Sequence, residues 1–310
     1  MAKLAKRLLA ATVVAVAAAM PVIAADKGDN NYLYRDYDAL LGGVTAQLRD
    51  FMAENPGKYE ADSLRNHVLE TLTYGSVGKA SQLTPARKKK LSADKLFELC
   101  RQSSLVFGKM DYTPQINADT AYSTASAVAL TADGICATNF HVVFDIVMTG
   151  ALDHKVSGDK MRFVMDYEGK AYPVTGVLAV DPVNDLAIIK VDPLGGKLVP
   201  ASIGSDLRPG EKVYCLAHPN GTYYNFTEGM VSNSTRVVNK RNGQTRYNLE
   251  VTAEYGSGAS GGPIFDECGN LVSLVSTTLS LYAKPEKYID FQMAYKHTVP
   301  VFLIKNRFND

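Results

Sequence analysis

The chain has 310 residues, enough to bury a sizeable core as one large domain or two small ones. Its 33 Lys and Arg balance 32 Asp and Glu, which argues against an electrostatic nucleic-acid binder. Charged residues make up 21% and hydrophobic ones 46%, the composition of a folded globular protein.

Lys3, Lys6 and Arg7 precede the apolar run LLAATVVAVAAAMPVIAA, and small residues lead into Asp26. That order predicts a secretory signal peptide over residues 1–25, cleaved after Ala24 or Ala25, and hence a periplasmic or secreted protein. An uncleaved anchor is the alternative, but the run is rich in Ala and broken by Pro21. No other apolar run is long enough to cross a bilayer, so no span is expected after cleavage. Export permits disulfides among Cys100, Cys136, Cys215 and Cys268, for which three full pairings exist. No C-x-x-C spacing supports a zinc or thioredoxin-like site, and neither a metal nor a cofactor is expected.

Residues 26–102 read as a helical region. Tyr37, Leu40, Leu41, Val44, Leu48, Phe51 and Met52 recur at three- and four-residue steps until Asn55-Pro56-Gly57 ends the helix. A second helix is predicted over Ser63–Thr73, with Leu64, Val68, Leu69 and Leu72 on one face. Thr84-Pro85 and Ser92 serve as N-caps for a third and a fourth, and the run Arg87–Lys90 reads as a solvated helix face. From Leu105 the texture changes. Runs such as SLVFGK, ASAVALTADGICATNFHVV, KMRFVMDY, DLAIIKVD, EKVYCLAHP and NLVSLVS alternate with Gly, Asp, Asn and Pro, which predicts an all-β barrel or sandwich over 103–310. Only Val299–Phe308 turns helical again.

A serine hydrolase needs a hydroxyl within reach of an imidazole, a carboxylate to orient that imidazole, and backbone N–H groups aimed at the oxyanion. The β body offers one candidate for each. His141 in CATNFHVVFD closes an apolar β run at a strand-to-loop transition. The other histidines fall on a helix (His67), in a polar loop (His154), or beside turns and termini (His218, His297). Asp185 in DPVNDLAIIKVD stands at the mouth of an apolar strand, where a partly buried carboxylate needs a donor; Asp181 precedes Pro182 and reads as a turn residue. Ser260 lies in GSGASGGPIFDECG, where Gly258, Gly261 and Gly262 permit backbone geometry closed to other residues. The amides of Gly258 and Ser260 are the candidate oxyanion hole.

TNFHVV, DPVNDLAIIKV and GASGGPIF together resemble the three catalytic blocks of chymotrypsin-like serine peptidases, nearest to the bacterial HtrA/Deg type. IGSDLRPGEKVYCLAHPNG and TEGMVSN resemble segments between those blocks, so the resemblance covers about residues 103–305 and leaves the helical region unmatched. It implies a mainly β fold of two six-stranded Greek-key barrels with the site in the cleft between them. His141 would be general base, Asp185 its orienter and Ser260 the nucleophile of an endopeptidase that cuts polypeptide substrates through an acyl-enzyme. Ala259 stands where digestive relatives carry the Asp that pairs with a new N-terminus, so activation by N-terminal insertion is not implied. The chain ends 50 residues after Ser260, so the PDZ domain of HtrA proteins is not expected. By the same resemblance, Glu254 is the candidate floor of a pocket selecting Lys or Arg. Val275, Ser276 and Thr277 form its opposite wall, and Cys215 and Cys268 are the candidate disulfide.

Two rivals remain. Gly258–Gly262 also fits the G-x-S-x-G elbow of an α/β-hydrolase, with Asp290 and His297 in the required order, but strand-like NLVSLVS follows where a helix should open. A latent or inactive protease-like protein acting as an interaction module, or a homo-oligomer driven by the helical region, is the second.

Overall fold

The structure, a computed structural model, describes residues 34–73, 75–151 and 159–309. The 1–25 leader and His154 lie outside these. Residues 38–310 form one compact unit.

The chain opens with α1 (Tyr37–Glu54), whose apolar stripe buries Val44 and Leu48. Gly57, at a φ of 79°, turns the chain away after it. The second expected helix is split at His67 into α2 (Ala61–Asn66) and α3 (Val68–Thr71). The helix expected from Thr84 is absent. Thr84 instead bridges Ser202 in parallel, while the Asn270 side chain accepts from the Arg87 N–H at 2.6 Å and donates to the Arg87 carbonyl at 3.0 Å. Partners supplied by the β body satisfy this backbone, and local helix propensity loses to them. Arg87–Lys90 is accordingly exposed but lies outside any helix. α4 (Ala93–Cys100) forms as expected behind Ser92 and buries Leu96 and Cys100.

The first six strands are β1 (Ser104–Thr113), β2 (Ala118–Ala129), β3 (Ile135–Thr138), β4 (Asp159–Met165), β5 (Ala171–Asp181) and β6 (Leu186–Val191). They close a barrel in the order β1-β2-β3-β6-β5-β4. Between β3 and β4 lies α5 (Phe140–Ala151), where the sequence suggested that strand texture ran on to a loop. Val142, Val143 and Phe144 disguise it, since β-branched and aromatic residues favour strands. Val143, Ile146 and Val147, at helical spacing, all turn into the core.

The second half carries β7 (Ser202–Ile203), β8 (Lys212–Ala217), β9 (Asn225–Val238), β10 (Thr245–Val251), β11 (Pro263–Phe265), β12 (Asn270–Lys284) and β13 (Ile289–Pro300). Their order is β11-β8-β9-β10-β13-β12-β7, and β11 also pairs β12, so six of the seven strands form a ring. The short α6 (Val301–Lys305) ends the fold. Each half has its own apolar core. This mainly β, two-sheet architecture with leading helices is chymotrypsin-like.

The front helices pack on the first barrel. The Gln47 amide donates to the Gly169 carbonyl at 2.9 Å and accepts from the Ala171 N–H at 3.0 Å, as a neighbouring strand would. Leu64 and Val68 share the barrel core with Val143, Ile146 and Val147 of α5.

Candidate active site

His141 is the second residue of α5, so its ring is placed by a helix start rather than by a loose strand end. Asp185 lies in the turn between β5 and β6, with a left-handed φ of 57° that costs a non-glycine residue strain. Two contacts hold it there. Asn139 Nδ2 donates to the Asp185 carbonyl at 2.9 Å, and the His141 amide donates to Oδ1 at 3.1 Å. The neighbouring Asp181 is consumed by its own turn, accepting from the amides of Val183 and Asn184 and from Asn184 Nδ2.

The three candidates meet. His141 Nδ1 lies 3.0 Å and 2.9 Å from the two Asp185 carboxylate oxygens, and His141 Nε2 lies 2.8 Å from Ser260 Oγ. With Nδ1 donating to Asp185, Nε2 is left as acceptor for the serine hydroxyl. Burial opposes ionisation of Asp185, but hydrogen bonds from His141 and Ser276 outweigh it and hold the carboxyl below its ordinary value. The ring is 46% exposed, so a substrate can reach it.

Sequence reasoning missed two supports. The Ser276 hydroxyl, expected on a pocket wall, donates to Asp185 Oδ2 at 2.7 Å. Ser126 accepts from the His218 amide, donates its hydroxyl to the Gly258 carbonyl at 3.2 Å, and donates its own amide to the Ser260 carbonyl at 2.8 Å. Neither serine stands in a distinctive motif, so only the fold reveals them.

Gly258 has a φ of 86° and Gly261 one of 80°, both left-handed. A Cβ on Gly261 would sit 2.3 Å from the Ser126 carbonyl oxygen, so this loop packs backbone to backbone on the first barrel. The Ser257 carbonyl accepts from the Asn220 amide at 2.8 Å and the Ala259 carbonyl from the Gly262 amide at 2.8 Å. These bonds fix the two peptide planes that carry the Gly258 and Ser260 N–H groups. Among the described residues neither N–H has an acceptor, leaving both open to an oxyanion. Ala259 is fully buried in the second core, where a charged side chain would find no water.

Three expectations fare differently. The Glu254 side chain is 78% exposed and paired with Lys296 at 2.8 Å, so it forms no buried anionic floor. Of the expected opposite wall, Val275 is buried in the second core, Ser276 turns its hydroxyl to Asp185, and Thr277 is exposed. All four thiols are free. The residue paired with Cys215 across β8 and β11 is Ile264, and Cys268 lies four positions further along, in the turn after β11. At about 3.3 Å per residue that turn is out of bonding range. Burial pushes the Cys100 and Cys215 thiols up to about 12, so both are inert as nucleophiles.

Comparison with known proteins agrees with this geometry. Residues 125–274 match the trypsin-like peptidase domain. The chain is 30% identical over 153 residues to Protease Do-like 5, chloroplastic, of Arabidopsis thaliana, covering 47% of this chain and 46% of that one. It is 29% identical over 159 residues to a probable periplasmic serine endoprotease, DegP-like, of Brucella suis, covering 50% of this chain and 28% of that one. It thus spans less than half the length of these curated relatives. Among solved structures, Deg5 superposes with a TM-score of 0.50 at 22% identity, covering 68% of this chain and 90% of that one. An HtrA-type protease, AlgW, with a decapeptide gives 0.51 at 20% identity, covering 69% and 64%. At these identities the structures speak for the fold alone.

Proposed function

We propose that the protein is an exported serine endopeptidase, on the match of residues 125–274 to the trypsin-like peptidase domain and the similarity to Do-like and DegP-like proteases. His141 takes the proton from Ser260 Oγ as that oxygen attacks the scissile carbonyl, and Asp185 stabilises the imidazolium that forms. The oxyanion develops against the Gly258 and Ser260 amides. His141 then returns the proton to the leaving amine, and water releases the acyl-enzyme by the same route in reverse. The observation that carries this reading is the unbroken chain from Ser260 Oγ through His141 to Asp185, with contacts of 2.8 Å and 2.9 Å.

The leader over residues 1–25 directs export, the front region over 26–102 braces the peptidase domain through Leu64 and Val68 of α2 and α3, which share the core of the first barrel, and residues 103–310 contain the site. Because the neighbourhood of Glu254 is neutralised by Lys296, the reading includes no preference for Lys or Arg. Hydrolysis of an unfolded protein by the mature chain tests it. Activity is expected to vanish in Ser260→Ala and to persist in Ser205→Ala, a change on the exposed surface. Equal activity in Ser260→Ala would overturn the assignment.

A further inference from the structure

Past the second sheet, β12 and β13 continue as a free hairpin. β12 meets β11 only as far as Leu274, and β13 meets β10 only at His297 and Thr298. From Thr278 to Lys296 the two strands therefore pair with each other alone among the described residues. Leu279 stands opposite Tyr295 and Leu281 opposite Met293, so these four side chains share one face. Leu279 is 53%, Met293 46% and Tyr295 36% exposed. The other face carries Thr278, Ser280, Ala294 and Lys296 next to the second sheet, and Tyr282 with the 60%-exposed Phe291 toward the tip. Next to the second sheet the ribbon thus presents one apolar face, and both of its edges are unpaired among the described residues, a surface built to receive a further strand.

The same strand starts at the candidate active site. Val275 exchanges backbone hydrogen bonds with Gly261 and Gly262 beside Ser260, and Ser276 holds Asp185. The free edge of β12 thus begins at the nucleophile loop and leads outward from it. We propose that this hairpin is a docking rail for the polypeptide substrate, selecting apolar side chains well upstream of the scissile bond. The inference rests on the peptidase reading and adds a substrate class to it. An extended chain adding antiparallel to β12 runs toward Ser260 and satisfies the open N–H and C=O groups of the edge. Its alternate side chains then lie on the face of Leu279, Leu281, Met293 and Tyr295. At about 3.3 Å per residue, that face reads side chains about four to seven residues before the cut. A bilayer would cover the apolar face but leave the edge groups without partners, which favours a peptide.

Binding by Ser260→Ala protein tests the rail without requiring turnover. The probe is a fluorescein-labelled peptide of about twelve residues, near the length of one paired strand plus the cut site, with Leu or Val at alternate upstream positions. A control peptide carries Ser there. Fluorescence anisotropy is expected to show binding of the apolar peptide, and about tenfold weaker binding both of the control and after adding Leu279→Thr and Met293→Thr. Threonine suits an exposed strand, and an unchanged circular dichroism spectrum and unfolding midpoint show that the hairpin survives. Affinity unaffected by the substitutions overturns the rail. So does sedimentation in which the hairpin substitutions break up an oligomer, which assigns the face to a second copy, or loss of binding to phosphatidylethanolamine/phosphatidylglycerol vesicles instead of peptide. Failure of the peptidase reading shows separately, as absent hydrolysis by the unsubstituted enzyme.

Discussion

Asp185 is where the site's chemistry and the fold's stability meet. Its carboxyl is held below the ordinary value, so the ionised form is the one the native state favours. A depressed carboxylate adds stability above its unfolded value and loses it as pH falls through the folded one. Asp185→Asn is therefore expected to cost about 10⁴-fold in kcat, as in other Ser-His-Asp sites. In urea titrations it should be less stable than wild type at pH 7, with the gap closing as pH falls below the ordinary carboxylate range. A gap that stays constant with pH would contradict the charge-based account. His218 carries the opposite sign of strain. Burial pushes its imidazole down to about 3, and its Nδ1 accepts from the Tyr224 amide at 3.0 Å, so it is neutral in the folded protein. The unfolded chain binds a proton there below about pH 6.5 and the native state does not, so stability falls as pH is lowered from that point, by at most about 1.4 kcal/mol per unit. His218→Asn should flatten that slope in urea titrations between pH 6 and pH 4, and an unaltered slope would place the acid sensitivity elsewhere. The sequence made Asp185 preferable to Asp181 through Pro182 alone. It placed Ser276 on a pocket wall rather than on Asp185 and gave no sign of Ser126, because a hydroxyl's partner is decided by the fold.

Among the elements, α5 matters most, because it carries His141 at its start and leans on the front region. Leu64 and Val68 of α2 and α3 pack against Val143, Ile146 and Val147. Leu64→Ala and Val68→Ala are each expected to destabilise by about 2–4 kcal/mol, read as a lower urea midpoint. The Leu64→Ala enzyme should also lose kcat more than KM changes, because its α5 no longer holds the imidazole in line. Loss of stability with kcat intact would mean that the front helices only cover the barrel. This coupling was hidden in the sequence. The periodic stripes of α1 and α4 were plain, whereas VVF in α5 imitated a strand and Thr84-Pro85 imitated a helix start. In both misreadings a contact far away in sequence decided the backbone.

Across the molecule, the two halves divide the labour. The closed barrel supplies His141 and Asp185, while the second sheet supplies Ser260 with its two amides and the hydroxyl of Ser276. The architecture was legible because turn signals spaced the β runs and because three separated blocks each carried one partner of the same chemistry. The pocket was not: Glu254 six positions before the serine suggested a buried anion, and only the placement of Lys296 on β13 shows that charge spent at the surface. The account stands on one nucleophile activated by one imidazole, and mass spectrometry after treatment with a fluorophosphonate reads it directly. A single adduct on Ser260 of the folded mature protein, absent in His141→Ala and after unfolding, is the predicted result. No adduct on the folded chain, or one on another serine with Ser260 untouched, would contradict it.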